Sequence, residues 1–228
     1  MLSFYQKHFN TVEINATYYR IPPARTMASM AERTPADFLF LSKLPGSLTH
    51  KREADRGQVR AFRSAMAPLT EAGKNAGYLA QFPFSFKHAP ESEDYLRWLK
   101  DVFPDTPLFA EFRHVSWDLP DLKERLEDMG VGFCSVDEPS LRGLFPKRAM
   151  LAGDTAYVRF HGRNARDWWT GGPRRYDYLY SRDELEQWKG FVRDLANEAK
   201  QTFVFFNNCH AGHAVINARM MEEMLGVE

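Results

Sequence analysis

The sequence lacks most of the features that would mark a specialised class. Only two cysteines, Cys134 and Cys209, occur in 228 residues. That excludes a disulfide framework and a cysteine-built zinc fold, and it fits a reducing compartment, the cytoplasm. Neither sign of charge is in excess, because lysine plus arginine and aspartate plus glutamate number 30 each. Binding to nucleic acid or membrane through global charge is therefore excluded, and only a local basic patch could serve. No apolar run approaches the ~18–20 residues of a membrane span. The start, Met1-Leu2-Ser3-Phe4-Tyr5, has neither the basic nor the apolar region of a secretory signal. Also missing are a glycine-rich dinucleotide turn, a Walker loop, a Gly-x-Ser-x-Gly elbow and a His-Glu-x-x-His helix. No stretch reads as a linker or as low complexity, so residues 1–228 are expected to form a single domain.

What the chain does have is alternation. Strand patterns fall at 11–15, 38–44, 78–82, 108–113, 131–136, 155–161 and 202–207. Helical spacing falls between them, at 24–33, 58–72, 91–101, 119–129, 181–200 and 213–225, after a short amphipathic piece at 2–8. Gly73 and Gly130 are placed to stop two of these helices, and Ser181 with Glu184 has capping-box spacing. Irregular loops fill 140–153 and 162–180. Strands that alternate with helices imply a parallel sheet with crossover helices, either open and doubly wound or closed into a barrel.

Side-chain parity separates the two. In Tyr157-Val158-Arg159-Phe160-His161-Gly162-Arg163, apolar Val158 and Phe160 point one way and polar Arg159 and His161 the other. Val12, Ile14, Ala110, Phe112, Val158 and Phe160 are expected to face helices. Opposite them stand Glu13 with Asn15, Glu111 with Arg113, and Arg159 with His161. Lys43, Gln81 and Asp137 are assigned to that same inner set. Strands buried on both faces of an open sheet should be near-continuously apolar. Polar strand ends above apolar deeper positions instead predict a TIM-like (β/α) barrel with its site at the C-terminal mouth.

The inner set is a candidate site. Glu111 and Asp137 are the carboxylate acid/base candidates, His161 a proton shuttle, and Lys43 a further catalytic group. Lys43, Arg113 and Arg159 would hold negative charge, while Glu13, Asn15, Gln81 and Asn207 orient a substrate. The structural alternative is that the carboxylates simply pair with Lys43, Arg113 and Arg159. Glu111, His114, Asp137 and His161 could imitate the divalent-metal set of endonuclease-IV-like and xylose-isomerase-like barrels. However, His114 has the wrong parity, and three positive side chains would repel a cation. No cofactor is expected and no metal ligand is assigned; a divalent metal stays as the alternative. His210-Ala211-Gly212-His213 has ligand-like spacing but reads as a turn with surface histidines. Cys209 reads as a small, partly buried thiol rather than a nucleophile.

The loops carry Lys51, Arg52, Arg142, Lys147, Arg148, Arg163, Arg166, Arg174 and Arg175, with Trp168 and Trp169 among them. Arginine forks bind phosphate or carboxylate, and tryptophan faces stack on sugars or bases. The partner this favours is a small anionic ligand, with nucleic acid as a second choice and no membrane.

Longer motifs then become legible. Phe9-Asn10-Thr11-Val12-Glu13-Ile14-Asn15-Ala16-Thr17-Tyr18-Tyr19 with Pro22, Phe38 to Lys43 with Thr49-His50, Gln81-Phe82-Pro83, and Glu111-Phe112-Arg113 with Ser116-Trp117 follow in order. Val136-Asp137, the stretch from Tyr157 to Arg163, Tyr176 to Tyr180 with Glu184-Leu185, and Phe206-Asn207-Asn208 with Gly212 and Asn217-Ala218 complete the set. Over essentially its whole length the chain resembles the YecE-like family, known only as a domain of unknown function. The resemblance implies a TIM-like barrel and no established activity. Trp117, Tyr178 and Asn208, which stand in these motifs, join the substrate-binding candidates. Family members usually open with a short strand ending in a Gly-Thr-Ser-Gly-Trp-like turn, which this chain lacks. The resemblance therefore implies an incomplete barrel: either the sequence is truncated ahead of its first helix, or the barrel is open between its first and last strands, with an unpaired edge beside 202–207.

Three readings stand at this point. The first is an enzyme using acid–base chemistry on a small anionic or phosphorylated ligand at the barrel mouth, in which Asp137→Asn should abolish turnover and leave folding largely intact. The second is a nucleic-acid-binding protein, or a metal-dependent nuclease or phosphodiesterase of endonuclease-IV-like type. The third is a non-enzymatic ligand-binding barrel. Reaction, substrate and oligomeric state are left open.

Overall fold

The computed structural model describes residues 2–53, 55–170 and 172–227. Met1, part of the start read above, and Gly171, inside the long loop, lie outside the described residues. Among the described residues seven strands form one parallel sheet in the order of the chain. They are β1 (Thr11–Ile14), β2 (Leu39–Lys43), β3 (Asn75–Gln81), β4 (Leu108–Glu111), β5 (Gly132–Asp137), β6 (Thr155–Phe160) and β7 (Gln201–Phe206). Because each strand is parallel to its neighbour, the chain must cross back between them, and it does so mostly through helices. These are α1 (Leu2–Tyr5), α2 (Ala24–Glu32), α3 (Gly46–Thr49), α4 (Arg56–Glu71), α5 (Pro90–Val102), α6 (Leu122–Asp128), α7 (Arg182–Glu198) and α8 (His213–Leu225).

The alternation read from sequence sorts the strands into two layers. Leu41, Leu79, Phe109, Cys134, Val136, Tyr157, Phe203 and Phe205 pack with one another inside the curled sheet. Val12, Ile14, Phe40, Ala80, Ala110, Phe112 and Phe133 face outward into the helices on one side of the barrel. Val158, Phe160 and Val204 do the same against α7 and α8. The result is a nearly closed TIM-like barrel. Among the described residues no backbone pairing joins β1 to β7, so the seam lies where the resemblance implied it. Both seam strands are less covered than β4, all four residues of which are buried.

Local signals explain most element ends. Ser181 accepts from the Glu184 amide and the Glu184 carboxylate accepts from the Ser181 amide, which completes the expected capping box of α7. Asp55 caps α4 by accepting from the Gly57 amide, so that helix begins two residues before the expected start at 58. Helix α6 begins beyond Pro120, at Leu122 rather than 119. Strand β3 starts at Asn75, three residues earlier than its apolar run, and the reason is tertiary. At Gly77 a Cβ would lie 2.6 Å from the Phe109 ring of β4, so the bare glycine lets the neighbouring strand close in. Among the described residues no helix is long and apolar enough to cross a membrane.

Candidate functional site

Parallel strands end together, so parity and strand length deliver one ring of polar groups to one end of the barrel. Its centre is Glu111, at the end of β4 and fully buried. Oε1 of Glu111 lies 2.5 Å from Arg113 Nη2 and 3.2 Å from His161 Nε2, and Oε2 lies 2.5 Å from Arg159 Nη1. The second arm of Arg159 donates to Glu13 Oε1 at 2.7 Å, and Asn15 Nδ2 donates to the same oxygen at 2.8 Å. Tyr157 donates its hydroxyl to the other oxygen of Glu13. On the far side Arg113 Nη1 donates to Glu138 Oε2. Signs thus alternate along Glu13, Arg159, Glu111, Arg113 and Glu138. The Arg159–Glu13 pair ties β6 to β1 beside the seam, where among the described residues no ladder joins β1 to β7.

The alternation fixes protonation. Burial alone would raise the Glu111 carboxyl, but Arg113, Arg159 and His161 reverse that and hold it well below the carboxylate range. It is a permanent anion and a poor proton donor. His161 is driven the other way, because burial and then Arg113 push its pKa down to about 3. Its Nε2 sits 3.0 Å from Arg113 Nη2, a donor, and its Nδ1 faces the Asn207 amide at 3.2 Å. An imidazole so placed stays neutral at physiological pH, whereas a shuttle needs a pKa near the working pH. The expected shuttle role does not suit this geometry.

Burial shifts two other groups of the site toward neutrality. The Lys43 ammonium donates to Gln81 Oε1 at 2.7 Å and sits 4.4 Å over the Tyr18 ring. Among the described residues no carboxylate reaches it within ion-pair distance, whereas Arg113 and Arg159 are both paired. Burial, then the nearby Arg159, lower its pKa to about 8. Glu138, just past β5, is lifted by burial to about 7 against the pull of Arg113, and its Oε1 is buried without a hydrogen-bond partner. Beside Lys43, the Tyr18 and His50 rings meet edge to face at 4.9 Å, and burial with Lys43 pushes His50 down to about 4. Tyr18 and His50 also line a cleft of about 570 Å³ that includes Tyr19, Arg20, Ser47 and Gln58. That volume suits a small ligand. Trp168 covers the other side of the ring, with the Arg113 guanidinium 5.4 Å from its centroid.

The structure therefore brings together Glu13, Asn15, Lys43, Gln81, Glu111, Arg113, Arg159, His161 and Asn207. It does not bring Asp137, Trp117, Tyr178 or Asn208. Asp137 has the parity of outward-facing Phe133, and its carboxylate lies between the sheet and α7. There it accepts from Trp188 Nε1 at 2.6 Å, Tyr180 Oη at 2.7 Å and both arms of Arg163 at 2.8 and 2.7 Å. The assignment of Asp137 to the inner set is thus corrected: Val136 points inward, so the next inward position is Glu138. Trp117 is fully buried in the outer layer, stacked on Phe112 at 4.1 Å, with its Nε1 donating to the Phe86 carbonyl. Tyr178 is committed to Glu184, and Asn208 brackets the Tyr178 carbonyl and Asn217. Glu138, Tyr18, Tyr157 and His50 were not singled out from sequence. Glu138 was legible as two residues beyond Val136, and the other three stand in the motifs quoted above.

The rim is less basic than its composition. Arg163 turns outward to Asp137, Arg148 pairs with Asp118 at 3.1 Å, and Lys147 lies over the Trp188 ring at 5.0 Å. Inside, the oxygens of Glu111 face guanidinium groups, and those of Glu13 are taken by Arg159, Asn15 and Tyr157, surroundings unsuited to a divalent metal.

Comparison with known proteins agrees with this architecture. The chain is 34% identical over 245 residues to UPF0759 protein YunF of Bacillus subtilis, with 100% of this chain and 87% of that protein covered. UPF0759 protein YecE of Escherichia coli is 35% identical over 88 residues, 37% of this chain and 31% of that one. A solved DUF72 family protein from Thermotoga maritima superposes with a TM-score of 0.88 at 44% identity, over 96% of this chain and 85% of its own. One from Enterococcus faecalis does so with a TM-score of 0.91 at 28% identity, over 100% and 94%. The model of the family described as "Protein of unknown function DUF72" matches residues 1–228, and the chain belongs to that family.

Proposed function

We propose that this DUF72 barrel is an enzyme that binds a small anionic ligand, a phosphorylated or carboxylated metabolite, and acts on it by acid–base chemistry. The observation that carries the reading is Lys43. A half-buried ammonium without a carboxylate partner, beside a cleft, is a site that an anion would complete. Its lowered pKa also makes it a base within reach of neutral pH, and Glu138 supplies a matching acid. Glu111, Arg113, Arg159 and His161 form the rigid support of these groups rather than the reacting pair. Asn207 orients His161, and Gln81 orients Lys43.

The test is thermal unfolding with inorganic phosphate, sulfate, sugar phosphates and small carboxylates, for the natural chain and for Lys43→Gln. A ligand should raise the Tm of the natural chain and leave the variant unmoved, and the gain should shrink as pH rises through about 8. If no anion shifts the natural chain, or the variant responds equally, the reading fails. The nucleic-acid reading leans on the rim instead, and the pairing of Arg148 and Arg163 removes much of its support.

A further inference from the structure

A second cluster of ligating groups stands apart from the ring, on the loops above β6 and β7. Asp177, in the long loop before α7, faces His210 and His213 from the turn that opens α8. Asp177 Oδ1 lies 2.9 Å from His210 Nδ1 and 3.8 Å from His213 Nδ1, and all three atoms fall within 4.8 Å of one another. The 2.9 Å contact with Asp177 accounts for His210. It leaves His213 unexplained, because Nδ1 of that ring is buried and has no hydrogen-bond partner. A buried ring nitrogen without a partner asks for a group to fill the space before it.

The turn itself is bent to make the cluster. Ala211 is left-handed, with φ 49° and ψ 21°, and Gly212 follows at φ 83°. These two residues swing the histidines onto one side, with ring centroids 5.8 Å apart. Four-coordinate zinc with bonds of about 2.0–2.2 Å needs neighbouring ligand atoms roughly 3.3 Å apart. The two separations from Asp177 straddle that value, so small side-chain rotations would suffice.

We propose that Asp177 Oδ1, His210 Nδ1 and His213 Nδ1 bind one zinc-class divalent transition-metal ion, with water in the remaining position. Two imidazoles and one carboxylate select such an ion over magnesium or calcium. The ion acts as a strut: it clamps the loop of residues 162–180, which bears Trp168 and the exposed Arg174, to the β7–α8 turn. Asn208 already tethers the same two segments at the Tyr178 carbonyl, 2.8 Å away. The ring around Glu111 takes no part, so this site stands or falls independently of the anion reading.

The experiment strips the full-length protein with a chelator, then titrates in Zn²⁺ by calorimetry and Co²⁺ by visible absorption. One equivalent should bind, and His213→Ala, His210→Ala and Asp177→Asn should each weaken it at least about tenfold. His8→Ala, at an exposed histidine outside the cluster, should not. Zinc should also slow proteolysis within residues 162–180 in the natural chain and not in His210→Ala. Absence of saturable binding overturns the site, as does binding that survives the Asp177 and His213 substitutions together. His210 is half exposed, so its variant should fold normally and keeps the test decisive even if another does not.

Discussion

Lys43 and Glu111 are the two residues whose surroundings say most. Lys43 is held by an amide and a ring and, among the described residues, has no carboxylate counter-ion. After reductive methylation with a carbon-13 label, its resonance should titrate near pH 8, while exposed lysines titrate near 10.5. A midpoint at the ordinary value would mean that the ammonium is better hydrated than the geometry implies. Glu111 is the reverse case, an anion between two guanidinium groups with no access to water. Removing its charge leaves Arg159 with Glu13 alone and Arg113 with Glu138 alone, both deep in the barrel, so Glu111→Gln should cost about 3–5 kcal/mol in urea unfolding. A loss under 1 kcal/mol would show that the pairs are wetter or weaker than the distances require.

At the scale of elements, α7 is fastened to the barrel by Asp137. The carboxylate at the end of β5 receives the Trp188 indole from the middle of α7, the Tyr180 hydroxyl from just before it, and the Arg163 fork from the loop after β6. Asp137→Asn keeps the shape but removes the charge and puts an NH₂ group against donors. The expectation drawn from sequence, lost turnover with folding intact, is therefore replaced. The variant should lose about 2–4 kcal/mol of stability, and α7 amides should exchange faster. If stability is unchanged while ligand binding is lost, Asp137 belongs to the site after all.

For the whole molecule, the seam and the buried titrating groups set the response to solvent. Among the described residues strands β1 and β7 each have one partner, so their amides should exchange with deuterium well before those of β4. Equal protection would mean that the seam is closed in solution. The pH dependence follows from the signs of the shifts. His161 and His50 have folded pKa values of about 3 and about 4, below the ordinary 6.5, so the unfolded chain binds more protons in between. Their contribution is complete above pH 6.5 and is lost as pH falls through 4 and 3. Glu111 adds to the loss below 4.5. Glu138, raised from 4.5 to about 7, works the other way and loses its contribution as pH rises between those values. The urea midpoint should therefore drop from pH 6.5 towards 4, and His161→Asn should flatten part of that drop.

The sequence by itself determined the barrel. Strand and helix alternation, strand parity and the motifs from Phe9 to Asn217 all pointed to it, because periodicity is a local property that burial then selects. It also determined most of the ring, since Glu13, Glu111, Arg113, Arg159 and His161 alternate with residues that must face helices. Only the tertiary structure decided what each group can do. Whether a strand-end carboxylate turns inward, as Glu138 does, or outward, as Asp137 does, depends on where β5 sits against α7 and on one step of register. Whether a charge is satisfied depends on partners far away in the chain: Glu13 and Arg159 are 146 residues apart yet bonded, and among the described residues no carboxylate pairs with Lys43. Protonation follows those distances and the exclusion of water, and neither is written in the order of residues.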